Sequence, residues 1–409
     1  MNIKKKLLYI FTLGVLILLT AFSSSAMSMT MPIADIVSDN QGRILSVSYR
    51  GDTAFYPGNS VEGVLSAWQK GADMVSVSVR KTKDNVYVLC EDESLGNVCN
   101  APYEDIGEAT FEEIRSYYLY DNTGELTEYK MSSLQELLAN TDLRLYLILD
   151  IEWEDRDSIY ELLKKENAHQ RVALRTKQSA RKISQWCETK ADKISVIGIY
   201  DGNIIWNSIS HINKLSEAGM TLVQYQSKNY FNVMYGSWTT DNFSAEGKAR
   251  ALAPAYNPDL CGQRSDSESG WNELISKGFT VIETNNVEAL AQYIEKNMEV
   301  RSNLSSLLEK AKAVDTARFS ITSKENLSDA IEKAEAVLHG RIKSLDEAEN
   351  AYSKLIFYMN EMKISDGEET TKGALNITAG KIIATVTVGA AIFLAQVFVH
   401  KQHRKKKDK

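Results

Sequence analysis

The sequence predicts an α/β fold, a (β/α)8 TIM barrel followed by a small three-helix bundle and a single transmembrane helix. Three observations predict it. Short apolar strands alternate with amphipathic helical stretches from residue 44 to residue 294. After that the strand patterns stop and three helical runs take over. Finally, an uncharged apolar run stands near the C-terminal end, ahead of a cluster of lysines.

At the N-terminal end, MNIKKKLLYIFTLGVLILLTAFSSSAMS places Lys4, Lys5 and Lys6 before an apolar run from Leu7 to Phe22, with Ser24 and Ala26 behind it. A basic start, an apolar middle and small residues at the end make 1–26 a secretory signal peptide.

The barrel region follows. ILSVSYRG, MVSVSV, VYVLCED, LYLILDIEW, VALRT, ISVIGIY, TLVQYQ and TVIETN are strand-like, rich in Val, Ile, Leu and Tyr. ARALAPAYN is a ninth candidate, which leaves the strand register of the second half open. Between them, SVEGVLSAWQKGA, SSLQELLAN, RDSIYELLKKENA, SARKISQWCETKA and NSISHINKLSEAG have apolar residues at helical spacing. Such alternation means parallel strands covered by helices. A doubly wound sheet fits less well, because no glycine-rich phosphate turn follows the first strand. In the stretch VSVSV, Val75, Val77 and Val79 face the helices, so Ser76 and Ser78 face the lumen. Barrel chemistry sits at the carboxyl ends of the strands. There the chain offers Tyr49 and Arg50, then Glu91 and Asp92, then Asp150 and Glu152.

From 295 to 364 the runs LSSLLEKAKAV, ENLSDAIEKAEAVLHG and LDEAENAYSKLIFYMNEM make the bundle. Ser323 and Ser344 mark helix starts and Gly340 a stop. Residues 365–381 are a linker with the polar stretch SDGEETTKG, and 382–399 carry no charge over a length close to that needed to cross ~30 Å of hydrocarbon. The basic tail, 400–409, stays cytoplasmic by the positive-inside rule. The expectation is a single-pass cell-membrane protein with an extracellular ectodomain and a cytoplasmic C-terminus. No LPxTG-type sorting motif precedes the span.

With 47 basic and 54 acidic side chains the formal charge is -7, which counts against nucleic acid as a partner. The four cysteines lack C-x-x-C spacing, so zinc is not expected. In an oxidising compartment Cys90 and Cys99 could bridge a short loop, or both could stay buried thiols. The aromatic-rich stretch from Ser227 to Phe243 is a candidate lid over the barrel mouth.

YRG, PGNS, GADMVSVSVRKTKDN and VYVLCEDESL occur in that order with unbroken spacing; LYLILDIEW and GFTVIETN follow later. These stretches resemble the glycerophosphodiester phosphodiesterase family, whose pattern runs H-R-G, P-E-N-T, G-A-D-x-I-E-x-D-V-x-x-T-K-D-G and V-x-V-x-x-H-D-x-x-L. The later pair resembles its L-x-I-E-x-K strand and its closing G-x-D-G-I-I-T-D. The resemblance covers roughly 46–294. It implies that the family's two catalytic histidines fall on Tyr49 and Glu91, and its metal-binding carboxylates on Ser76, Ser78 and Asp150. The phosphate-contacting arginine falls on Arg50, and the Glu of P-E-N-T on Gly58. Of the working set, only Arg50 and the conservative Asp150 are kept.

A serine hydroxyl is a poor substitute for a carboxylate around a hard divalent cation. Tyrosine and glutamate start far from the neutral pKa that general acid–base work needs. None of the five histidines, His169, His211, His339, His400 and His403, lies where it could replace those lost. The resemblance therefore points to a pseudoenzyme with no expected cofactor, which binds a glycerol phosphate, a wall polymer or a glycan. Two alternatives stand beside it. One is an active phosphoric diester hydrolase of glycerophosphodiesters in lipid metabolism, holding Ca or Mg among Glu91, Asp92, Asp150 and Glu152. The other is a structural surface-display or adhesin-like protein. The helical segment resembles the FIVAR module of bacterial cell-surface proteins, through A-x-x-V-L followed by a second long helix; it would act as a binding spacer or as a stalk.

Overall fold

In a computed structural model, the structure describes residues 32–38, 43–103, 105–201, 214, 220, 222–229, 240 and 250–362. The expected signal peptide, span and basic tail lie outside these residues, as do His211 and most of the aromatic stretch 227–243. No described helix is long and apolar enough to cross a membrane.

In chain order the elements are α1 (Ile33–Ser38), β1 (Leu45–Tyr49), α2 (Val61–Gln69), β2 (Met74–Lys81), β3 (Tyr87–Leu89), α3 (Phe111–Ile114), β4 (Tyr118–Tyr120) and β5 (Leu126–Lys130). Next come α4 (Leu134–Asn140), β6 (Tyr146–Asp150), α5 (Arg156–Lys165), β7 (Val172–Thr176), α6 (Ala180–Glu188), β8 (Ser195–Asp201), β9 (Leu222–Gln226) and β10 (Arg250–Pro254). The last are α7 (Glu268–Ser276), β11 (Phe279–Thr284), α8 (Val287–Lys312), α9 (Ile321–Leu338) and α10 (Leu345–Asn360).

Eight strands, β1, β2, β6, β7, β8, β9, β10 and β11, pair side by side in parallel, and β11 returns to β1. The sheet is closed, as a TIM barrel requires. One expected barrel strand is corrected. VYVLCED does not join the parallel ring; its β3 runs antiparallel to the end of β2, with Val79 opposite Leu89 and Lys81 opposite Tyr87. The reason is the connection: only residues 82–86 separate the two, whereas a parallel crossover takes a dozen or more. Asn85, at φ 62°, turns that hairpin. The surplus candidate ARALAPAYN supplies the barrel's own β10.

Side-chain alternation sorts the barrel into two shells. Val75, Val77 and Val79 pack outward against the helices, together with Leu147 and Leu149. Leu45, Val47, Met74, Ile148, Ala173, Ile197, Leu222, Leu252 and Val281 fill the lower lumen, and Ile33 and Val37 of α1 close it from below. Between β3 and α4 an insertion with its own apolar cluster, including Leu95, Ile106 and Phe111, stands beside the mouth.

α8 is one uninterrupted helix of 26 residues, about 39 Å at 1.5 Å per residue. Its first turns cover the barrel; its later turns join α9 and α10 around Leu304, Leu308, Leu327, Ala334 and Leu355. The sequence boundary at 294/295 therefore falls inside a helix. The bundle is fastened to the barrel at several points. The Tyr293 hydroxyl donates to Asn272 Oδ1 (2.8 Å) and accepts from the Leu345 amide (3.0 Å). Arg341 donates to the Ser276 carbonyl, just ahead of β11. That contact places the bundle beyond the amino ends of the strands, opposite the mouth. Ser344 caps α10 in a capping box with Glu347, as expected. α9 starts earlier than expected, capped by Ser320 rather than Ser323. Gly340, at φ 86°, follows α9 as a helix stop should.

Candidate functional site

The residues at the mouth are set by the turn after β1. Arg50 holds φ 61° and Gly51 φ 87°. A side chain at Gly51 would bring its Cβ within 2.7 Å of the Gly63 backbone, so only glycine fits there. Arginine at a positive φ costs on the order of 1–3 kcal/mol, which the surrounding bonds must offset. They do so at both ends: the Arg50 amide donates to the Ser76 carbonyl, and its carbonyl accepts from the Asn59 amide, each at 2.9 Å. The stretch PGNS keeps its asparagine and serine for structural work. Asn59 Oδ1 accepts from the Ser78 amide (2.8 Å), and Ser60 caps α2 through Gly63 N (3.1 Å). At Gly58 the space against Arg50 is ordinary contact distance, 3.5 Å from its Cβ.

Tyr49 and Glu91, the two positions at which the sequence resemblance puts the family's histidines, do meet. The Tyr49 hydroxyl donates to Glu91 Oε1 at 2.6 Å. Arg50 pairs with the other Glu91 oxygen and lies over the Tyr49 ring. Tyr49 is also stacked flat on Tyr256, with ring centroids 3.6 Å apart. Burial, reinforced by the bond to Glu91, pushes the Tyr49 phenol far above its usual range. Burial does the same to Tyr256.

Ser76 and Ser78 face the lumen, and Ser78 sits beside Asp150 in the register. Asp150 is not free, however. Arg175, on the neighbouring strand β7, grips it with two bonds, Nε to Oδ1 at 2.5 Å and Nη2 to Oδ2 at 2.6 Å. The same guanidinium donates through Nη1 to both oxygens of Glu283 and to Gln224 Oε1, all at 2.8 Å. Arg175 and Glu283 are 2% and 0% exposed at their side chains. Burial opposes the charge on Arg175, but Asp150 and Glu283 more than offset it and raise its pKa well above the usual range. Burial, with help from Asp150, raises the Glu283 carboxyl despite the attraction of Arg175.

The remaining acidic candidates do not converge on one point. Asp92 accepts from Asn97 Nδ2 (2.7 Å) and the Ser94 amide (3.0 Å); the Asn97 bond leads the effects that lower its pKa. Glu152 lies 3.8 Å from Arg80. Among the described residues, no three His, Cys, Asp or Glu side chains are grouped to hold a metal ion. Ser76, Ser78 and Asp150, where the sequence resemblance puts a metal, offer two hydroxyls and one carboxylate already bound by a guanidinium, a donor set that does not fit a divalent cation. Cys90 and Cys99 are both buried, with free thiols in this structure. Cys90 Sγ donates to the Asp92 carbonyl (3.0 Å), and burial pushes its thiol up to about 12.

Arg175, Gln224, Tyr256 and Glu283 were not singled out from sequence. A signal for two of them was present, since VALRT and TVIETN each place one charge inside an apolar strand. Beside the mouth, between the β1 turn and the insertion, lies a cleft of about 860 Å³. Arg50, Asn59, Glu91, Asp92, Tyr120 and Asp121 are among its lining residues.

Residues 50–242 match the model of the glycerophosphoryl diester phosphodiesterase family. A glycerophosphoryl diester phosphodiesterase from Parabacteroides distasonis is similar in structure, with a TM-score of 0.53 at 19% identity over 65% of this chain and 93% of that one. A Silicibacter pomeroyi protein assigned the same name gives 0.51 at 14% identity, over 64% and 98%. Likeness at this level of identity speaks for the fold. No curated protein matches the chain significantly.

Proposed function

The barrel of this chain belongs to the glycerophosphodiester phosphodiesterase family, and on that premise we propose that it is a non-hydrolytic member that retains ligand binding at the mouth. The observation that carries the reading is the Tyr49–Glu91 bond of 2.6 Å, at the positions where the family's acid and base would stand. A phenol held far above its usual pKa neither takes nor gives a proton readily near neutrality. Its partner carboxylate is occupied by that phenol and by Arg50.

Binding needs less than catalysis. Arg50 keeps its place on the rim of the polar cleft, and a phosphodiester or polyol phosphate there would compete with Glu91 for the guanidinium. A leader at 1–26 and a span at 382–399 would hold this barrel at the outer face of a membrane. The bundle, with its FIVAR-like sequence, would serve as the spacer.

Hydrolysis decides the matter. With glycerophosphocholine and Ca²⁺ or Mg²⁺, the full chain should release no glycerol 3-phosphate. Release that stops on adding a chelator would establish the active hydrolase instead. Glycerol 3-phosphate should raise the melting temperature of the wild type and leave Arg50→Ala unmoved; no response in either protein would favour mere display.

A further inference from the structure

Divalent-cation sites in barrels of this kind gather oxygen ligands from several strands, and so tie the strands together as well as binding substrate. In this chain the ligand-bearing positions on β2 are serines, yet the carboxylates of Asp150 on β6 and Glu283 on β11 remain in the lumen. Two carboxylates in a water-poor cavity repel each other and need a positive charge. The positive charge present is Arg175.

We infer that the Arg175 guanidinium is a built-in replacement for the divalent cation, holding the one remaining ligand position, Asp150, together with Glu283 and Gln224, and making the mouth independent of metal. Its five nitrogen–oxygen bonds reach β6, β9 and β11 from β7, through Asp150, Gln224 and Glu283. This is the cross-strand job of a metal centre done by a side chain. Geometry favours arginine over lysine for it. A planar fork makes two parallel bonds to Asp150 while a third nitrogen turns toward Glu283, which a single ammonium cannot do. Ser76 and Ser78 are consistent with the same exchange. A guanidinium already matched by two carboxylates has no use for two more, and added negative charge at 76 or 78 would be buried without a partner.

The idea goes beyond the loss of hydrolysis and can fail separately from it. Removing the guanidinium with a side chain of similar length, Arg175→Met, leaves Asp150, Glu283 and Gln224 Oε1 pointing into one space. That variant should gain a Ca²⁺ site. Its melting temperature should rise by about 5 °C or more at saturating Ca²⁺, and calorimetric titration with Ca²⁺ should show one new site. The wild type and Arg175→Lys should respond to neither Ca²⁺ nor chelator. If Arg175→Met folds only when Ca²⁺ is present, the inference is supported outright. Three results overturn it: a folded Arg175→Met that ignores Ca²⁺, a variant that folds in neither condition while Arg175→Met/Glu283→Gln folds, or a wild type that binds Ca²⁺ as tightly as the variant. None of these is a hydrolysis assay: chelator-sensitive hydrolysis by the wild type would refute both readings, whereas an inactive wild type beside a folded Arg175→Met that ignores Ca²⁺ would overturn this one alone.

Discussion

The lower and upper halves of the barrel lumen are built by the same eight strands, with the same alternation, and they are chemically opposite. Below, Leu45, Ile148, Leu222 and Val281 meet in a dry apolar plug. Two residues further along the same strands stand Asp150, Gln224 and Glu283, gathered around Arg175. A residue's distance along its strand, rather than its strand's identity, decides which rule it obeys. The lower half is held by shape and tolerates no charge. The upper half is held by charge balance and tolerates exchange only if the sum is kept. Working positions at the mouth can therefore be exchanged while the plug beneath them needs no change.

The largest effect should come from breaking the lower rule. Ile148→Asp places a carboxylate in the plug with no cation in reach, and should cost about 5 kcal/mol or prevent folding, as read by urea denaturation. A smaller loss is expected above. Glu283→Gln keeps the shape and leaves Arg175 bound to Asp150 and Gln224, so the cost at about pH 7 should be about 2 kcal/mol.

That variant also carries a pH signature. Burial raises the native Glu283 pKa above its ordinary value of 4.5, so the folded state binds that proton more tightly than the unfolded one. Stability from this group therefore falls as pH rises from 4.5 to the native pKa. The gap between wild type and Glu283→Gln should be wider near pH 4.5 than at about pH 7. An equal gap at both values would mean that the carboxyl titrates alike in both states. The smallest effect belongs to the rim. Tyr49→Phe removes the bond to a half-exposed Glu91 and should cost about 1 kcal/mol or less, with the stacking on Tyr256 preserved.

The valine–serine alternation of β2 and the two faces it creates could be read directly, because a pleat leaves no other choice. The barrel was legible for the same reason: each strand's apolar period is local. The misplaced strand VYVLCED shows the limit. Its composition says strand, but partner and direction follow from the length of the connection before it, which residues 82–86 made too short for a crossover. Arg175 and Glu283 lie 108 residues apart, and no local pattern joins them. The odd charge within each apolar strand announced that a partner was needed without saying which. The join between barrel and bundle was hidden by a change of composition at 295, although VEALAQYIEKNMEVRSNLSSLLEKAK contains neither glycine nor proline to interrupt a helix.

That helix has a mechanical consequence. α8 is packed against the barrel close to the seam where β11 meets β1, with Ala291 against Gly71, and it continues without a joint into the bundle. α10 is clamped to the same region through Tyr293, Asn272 and Leu345. A pull on the far end of α10 would thus travel up two stiff rods and load the barrel at its closing seam. The mouth, at the other end of the strands, would turn with the bundle as one lever and could not swing free of it.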